Sequence, residues 1–139
     1  MTQQQAFLTA AYLAAKAADH PFPAYAACEA AVASHYGTIA AVSANNLFDF
    51  RVPAKRGPGL LTVALKDAKK ISMRLAFPTW EACFRHRAQW IKAVTVFYLV
   101  RRAKTGEEYI DEMTKLASDP KNYGDTVKAI HDANLELWA

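Results

Sequence analysis

Residues 28–50 read CEAAVASHYGTIAAVSANNLFDF, and their punctuation organises the chain around them. A helix is expected over residues 24–36, stopped at Tyr36-Gly37 because glycine accepts the left-handed backbone that closes a helix. Residues 38–44 suit a short further helix. Asn45-Asn46 then breaks the pattern, since asparagine side chains satisfy turn backbones and tolerate positive φ.

Towards the N-terminus, residues 3–19 place Phe7, Ala10, Ala11 and Ala14 on one face, with Leu8, Tyr12 and Ala15 beside them. That spacing is helical. His20-Pro21-Phe22-Pro23 ends it, because proline disfavours helical geometry before it and has no amide hydrogen. Towards the C-terminus, Pro53, Gly57, Pro58 and Gly59 mark a loop, and residues 60–66 suit a strand. Asp67 to Lys70 suits a turn, and Ile71, Met73, Leu75 and Phe77 alternate at period two, so a small hairpin is expected between helices. Thr79 is a good N-cap for a helix running to about Arg102 along Phe84, Ala88, Ile91, Val94 and Tyr98. Residues 105–117 form another, with Tyr109, Ile110, Met113 and Leu116 as its stripe. In Ser118-Asp119-Pro120 the aspartate caps and the proline opens a last helix, carried by Val127, Ile130, Asn134 and Leu137. The expectation is one mostly helical α+β domain over residues 1–139.

The 139 residues are 53% hydrophobic and 22% charged, a balance that argues against disorder. No apolar stretch approaches the ~20 residues of a membrane span, the segment 93–100 included. No basic head followed by an apolar core opens the chain, so no secretory signal is expected in it. Seventeen Lys and Arg against thirteen Asp and Glu leave a net charge of +4. Its basic residues (Lys66, Lys69, Lys70 and Arg74; Arg85 and Arg87; Arg101, Arg102 and Lys104) are dispersed and read as solvated faces, so nucleic acid is not the expected partner. Cys28 and Cys83 are too few for a disulfide scaffold, lack the spacing of a zinc site, and read as small core residues. There is no glycine-rich phosphate loop. The four histidines are isolated, with His86 and His131 expected on exposed helix positions and His20 in a proline turn. His35 is the most noticeable, at the end of its helix beside Tyr36-Gly37. Neither metal nor organic cofactor is expected.

Ser34, His35, Tyr36 and Gly37, followed by Asn45, Asn46, Leu47 and Phe48, resemble the signature of the bacterial and phage N-acetylglucosaminidases of glycoside hydrolase family 73. That signature is Glu-Ser-x-aromatic-Gly, then Asn-Asn-Leu-Phe-Gly. Phe77-Pro78-Thr79-Trp80 resembles the family's entry to its next helix. Ser118-Asp119-Pro120 with Tyr123 resembles its Thr-Asp-Pro-x-Tyr segment, with one residue inserted. The order of the pieces is the family's along the whole chain. The resemblance implies a lysozyme-like fold with a small hairpin lobe, and hydrolysis of peptidoglycan at β-1,4 links of N-acetylglucosamine.

Three positions depart from that pattern. Asp49 replaces the last glycine of the second motif, and Leu116 replaces a tyrosine before the Ser-Asp-Pro segment. Most consequentially, Ala33 stands where the family carries its general-acid glutamate. Alanine has no proton to give a glycosidic oxygen, so the chain as written is expected to be inactive. Either Ala33 is an engineered replacement of glutamate, which the intact surroundings favour, or the chain is a natural relative that binds glycan without cutting it. Glu29, one turn earlier on the same face, is displaced by ~5.4 Å along the axis and reads as a partly exposed helix residue rather than a substitute. The resemblance points to Asp67, the hairpin's acid, as a second carboxylate, and to Tyr123 or Tyr109 as tyrosines that could reach the cleft. For sugar binding the candidates are Tyr36, His35, Asn45, Asn46, Phe48 and Trp80, aromatics for ring faces and amides for hydroxyls. A lysozyme or lytic transglycosylase is the alternative enzyme. The implied partner is the glycan strand of the cell wall, met by a monomer without membrane insertion and delivered by phage lysis, a secretion system or a longer precursor.

Overall fold

A computed structural model describes residues 1–53, 61–67 and 70–139, with the Asp67 side chain outside the described set. The expected loop at Gly57, Pro58 and Gly59 and the turn at Ala68-Lys69 also lie outside the described residues. In order come α1 (Gln3–Ala17), α2 (Pro23–Ser34), a 3-10 turn (Ala40–Ala44), and the strands β1 (Leu61–Asp67) and β2 (Lys70–Ala76). There follow α3 (Trp80–Ala93), a 3-10 turn (Thr95–Phe97), α4 (Tyr98–Arg101), α5 (Gly106–Lys115), α6 (Pro120–Ala133) and a closing 3-10 turn (Leu135–Trp138). The expected mostly helical α+β architecture is observed. No helix among the described residues is long and apolar enough to cross a membrane.

The position of α2 decides the rest. Ala26, Ala27, Cys28, Glu29, Ala30 and Ala31 are all buried, and six consecutive residues cover every direction around a helix axis. A helix buried all round is a core helix, and its alanines let α1 and α6 approach closely. Phe7, Leu8, Ala11 and Ala15 of α1 pack on it, while Ala10, expected on that face, is exposed. Cys28 and Cys83 are free thiols in this core, and burial pushes them up to about 12 and about 11. Gly106, at the start of α5, lies so close to Tyr25 that a Cβ there would meet its ring at 2.2 Å.

Between α1 and α2, His20 Nδ1 accepts the Phe22 amide hydrogen at 2.9 Å, and its ring sits edge-on to Tyr109. Burial, then the Arg87 charge, lowers its pKa to about 4. The folded chain therefore keeps His20 neutral at pH values where the unfolded chain protonates it. Stability is unaffected above pH 6.5 and falls by up to about 3 kcal/mol as pH drops towards 4. His20→Asn, whose carbonyl oxygen can accept the same hydrogen bond, is expected to lose less stability between pH 7 and 4.5 in urea titrations. An equal loss in both proteins would contradict this assignment.

The hairpin departs from expectation in its packing. Its antiparallel register runs from Leu61 opposite Ala76 to Asp67 opposite Lys70. Of the alternating set, Leu75 alone is buried; Ile71 and Met73 are exposed. The hairpin projects from the helical body and is anchored at its base, where the Leu75 amide donates to Phe50 O at 3.0 Å and Arg51 bridges to Arg74.

The helix expected to reach Arg102 stops at Ala93. Val94 turns to extended geometry, and the β-branched run Val94-Thr95-Val96 is a poor helix former. The exposed end is closed from outside, because Arg101 Nη1 donates to the carbonyls of Ile91 and Val94. Val94 and Tyr98 are consequently exposed rather than part of a buried stripe. In α5, Tyr109, Ile110 and Met113 are buried as expected, whereas Leu116 lies past the helix end and is exposed. Asp119 stands at the N-cap of α6, but its carboxylate accepts from the Asn122 side chain instead of from a backbone amide. His131 is not a free surface residue either, since its ring lies between those of Tyr25 and Trp138.

Candidate active site

A groove of about 470 Å³ opens beside the C-terminal half of α2, with Ala33 and Glu29 on that helix lining it. The opposite wall comes from residues 48–51, α3 and the segment 113–118, and Tyr123 of α6 completes it. The local backbone explains the end of α2. Ser34 Oγ donates to Ala30 O at 2.6 Å and accepts the Gly37 amide hydrogen at 2.9 Å. His35, Tyr36 and Gly37 all adopt positive φ, so the chain reverses within three residues. Gly37 is needed there twice over, because a Cβ would stand 3.0 Å from the Phe7 ring.

Glu29 is the largest correction to the sequence reading. It is 1% exposed, because α2 is a core helix with no solvent face at this level. Arg87, expected on a solvated face, is equally enclosed at 5%. The two form a bidentate pair, with Arg87 Nη1 and Nη2 donating to Oε1 and Oε2 of Glu29 at 2.9 and 2.8 Å. Tyr109 accepts from Arg87 Nη1 at 2.8 Å and donates to Glu29 Oε1 at 2.5 Å, and the Tyr123 hydroxyl donates to Glu29 Oε2. Burial alone would raise the Glu29 pKa. The Arg87 charge and the hydrogen bonds from Arg87, Tyr109 and Tyr123 overcome that and hold the carboxyl below its ordinary range. Burial, and then the Glu29 anion, raise Tyr123 above its ordinary value; burial also raises Tyr109. Glu29 is thus an ion with four donors, and neither tyrosine is acidic. The network holds charge rather than supplying protons.

The structure gathers three of the expected site residues at the groove: Ala33, Phe48 and Tyr123. Phe48 lies under the Arg87 guanidinium, 4.2 Å from ring centroid to carbon. Tyr36, His35, Asn45, Asn46 and Trp80 lie apart from that lining. Tyr36 packs edge-on against Phe7, and Trp80 packs against the same ring. His35 is exposed at the cap of α2.

The asparagine pair forms a clasp. Asn45 Nδ2 donates to the carbonyls of Phe77 and Pro78. Asn46, fully buried, donates to Phe50 O and Leu75 O and accepts the Phe50 amide hydrogen. Together they tie residues 45–50 to the hairpin and to the approach to α3. Asp49, in place of the motif's glycine, has φ 54°, a left-handed conformation that aspartate tolerates better than most residues. Its carboxylate accepts from Arg74 Nε at 2.8 Å. The Asp67 side chain, the expected second carboxylate, lies outside the described residues.

Sequence reasoning missed most of the groove's lining, Arg51, Arg87 and Trp90 included. A signal existed for two of them, because Arg87 and Trp90 stand three apart on α3 and share a face. His86, expected to be exposed, is half-buried against Phe50 and Phe77, and burial lowers its pKa. Among the described residues no cluster of three or more His, Cys, Asp or Glu could hold a metal ion.

No protein-family model matches the chain, and no curated protein matches it. Solved structures do. The chain is similar to the catalytic domain of the autolysin Auto from Listeria monocytogenes, with TM-score 0.74 at 16% identity over 99% of this chain and 86% of that one. It is similar to the glycoside hydrolase domain of Salmonella typhimurium FlgJ, with TM-score 0.74 at 16% identity over 96% and 88%. A peptidoglycan hydrolase from Sphingomonas sp. A1 gives TM-score 0.69 at 19% identity over 94% and 89%. The chain has the fold of these hydrolase domains.

Proposed function

We propose that the groove receives a glycan strand of peptidoglycan. The chain with Ala33 holds the strand without cutting it, and the same chain with glutamate at position 33 hydrolyses β-1,4 links at N-acetylglucosamine. The observation that carries this reading is the place of Ala33. It is half-buried in the groove wall, one turn above a neutralised ion pair, in a fold shared with peptidoglycan hydrolases. Glycoside hydrolysis needs an acid that protonates the leaving oxygen and a means of stabilising an oxocarbenium-like centre. Among the described residues the groove's carboxylates are Glu29 and Asp49, the first saturated with donors and the second paired to Arg74. Neither is placed to act as the acid. A carboxyl at position 33, in a groove also lined by Tyr123 and Phe48, would be partly desolvated and so keep its proton nearer neutral pH.

The site of action on this reading is the bacterial cell wall, and the net charge of +4 favours an anionic polymer. The test pairs binding with turnover. The chain should sediment with purified insoluble peptidoglycan while releasing no reducing ends, and Ala33→Glu should release them. Failure of both proteins to sediment would remove the reading.

A further inference from the structure

Next to the groove lies a second hollow of about 330 Å³, lined among others by Pro53, His86 and Gln89. The two share Phe50, Arg51 and Trp90, so they meet across one ridge. Phe50 and Trp90 pack edge to face at 5.8 Å, and Trp90 is 41% exposed. Arg51 crowns the ridge, its backbone fixed by the bridge to Arg74 and its side chain exposed. The neighbouring charges are already matched, Glu29 by Arg87 and Asp49 by Arg74. Among the described residues no acidic side chain is paired with Arg51. It therefore offers a positive charge and a planar fork of donors between a sugar-sized groove and a side hollow.

We infer that Arg51 determines specificity, by binding a carboxylate carried on a side substituent of the glycan, so that the groove prefers peptidoglycan strands to neutral N-acetylglucosamine polymers. This rests on the groove's reading as a glycan site. Two groups supply the same chemistry: the lactyl carboxylate of a muramic acid stripped of its peptide, and the carboxylates of an intact stem peptide. Sugar ring faces meet Trp90 and Phe50, while the substituent crosses the ridge into the hollow beside Gln89. A neutral polymer of the same backbone has nothing to place on Arg51.

The test uses the full chain with Ala33, which removes turnover from the measurement. Titration calorimetry compares neutral N-acetylglucosamine oligomers, soluble glycan strands freed of stem peptides, and strands that keep them. The expected result is about five- to tenfold tighter binding of a carboxylate-bearing strand, a margin that shrinks with added salt. Arg51→Gln should abolish that margin, so that carboxylate-bearing strands and neutral oligomers bind alike. Arg51→Lys should retain part of it, since charge survives while the bidentate fork is lost. Preference for stripped strands assigns the lactyl group, and preference confined to intact strands assigns the peptide. Equal affinity for all three probes, or a margin that survives Arg51→Gln, overturns the inference while the glycan reading stands. No binding of any probe overturns both.

Discussion

Ala33→Glu is expected to turn a glycan-holding chain into a peptidoglycan hydrolase, with a rate gain of roughly a hundred- to ten-thousandfold over the alanine form. The mechanism of the gain is a single proton. The floor below position 33 is already electrically balanced by Arg87 and shielded from solvent, so the new carboxyl meets a wall of Phe48 and Tyr123 above a fixed anion. Partial desolvation favours its protonated form, which is the form a general acid needs. Activity should therefore be lost as pH rises through the raised pKa of the new acid. Ala33→Gln, equal in shape but without an exchangeable acid, should remain inactive. Release of reducing ends from purified walls reads all three proteins. Should Ala33→Glu bind walls as the parent does and release nothing, the chain is a glycan-binding relative whose groove no longer supports hydrolysis.

The second large effect concerns the buried pair. Arg87→Met is expected to destabilise the fold by about 3–5 kcal/mol, because it leaves the Glu29 carboxylate enclosed with only the two tyrosine hydroxyls as donors. The double variant Glu29→Met with Arg87→Met should cost much less than Arg87→Met alone, since no buried charge then remains. The sign of the pH dependence follows from Glu29. Its folded pKa lies below the ordinary carboxylate value, so the stability it contributes is present above that value and is lost as pH falls through the depressed one. In Arg87→Met only the two tyrosine hydrogen bonds still oppose burial, and the carboxyl's pKa rises instead. The difference between the two proteins should therefore be largest near neutrality and shrink in acid. Urea unfolding at pH 7 and pH 4 measures both predictions, and a constant difference would show that the pair does not set the stability of this site.

Much of the fold is legible in short stretches. The close of α2 just before Tyr36-Gly37, the turn at Asn45, the N-cap at Thr79 and the period-two strand before Phe77 all depend on residues a few positions apart. Their backbone chemistry is local, so one sequence suffices. The same reasoning failed where a helix was taken to have a wet face. An alanine-rich segment suits the surface and the core alike, and the lone acid of α2, Glu29, read as the mark of a wet face. Arg87 looked like any arginine flanked by basic and polar neighbours, because its partner is 58 residues away. The asparagine pair looked like sugar ligands for a related reason: Asn46 reaches a carbonyl 29 residues on, and Asn45 one 32 residues on.

By itself the sequence determined where most helices start, that a hairpin interrupts them, and that position 33 carries a methyl group. These are properties of the backbone over one or two turns. Tertiary packing alone decided that α2 is the central helix, that Glu29 is an enclosed ion held by Arg87 and two tyrosines, and that Trp90 and Arg51 border the groove. The reason is that burial and charge pairing depend on which distant elements meet, and a free energy shared across the chain leaves no mark on the residues beside either partner.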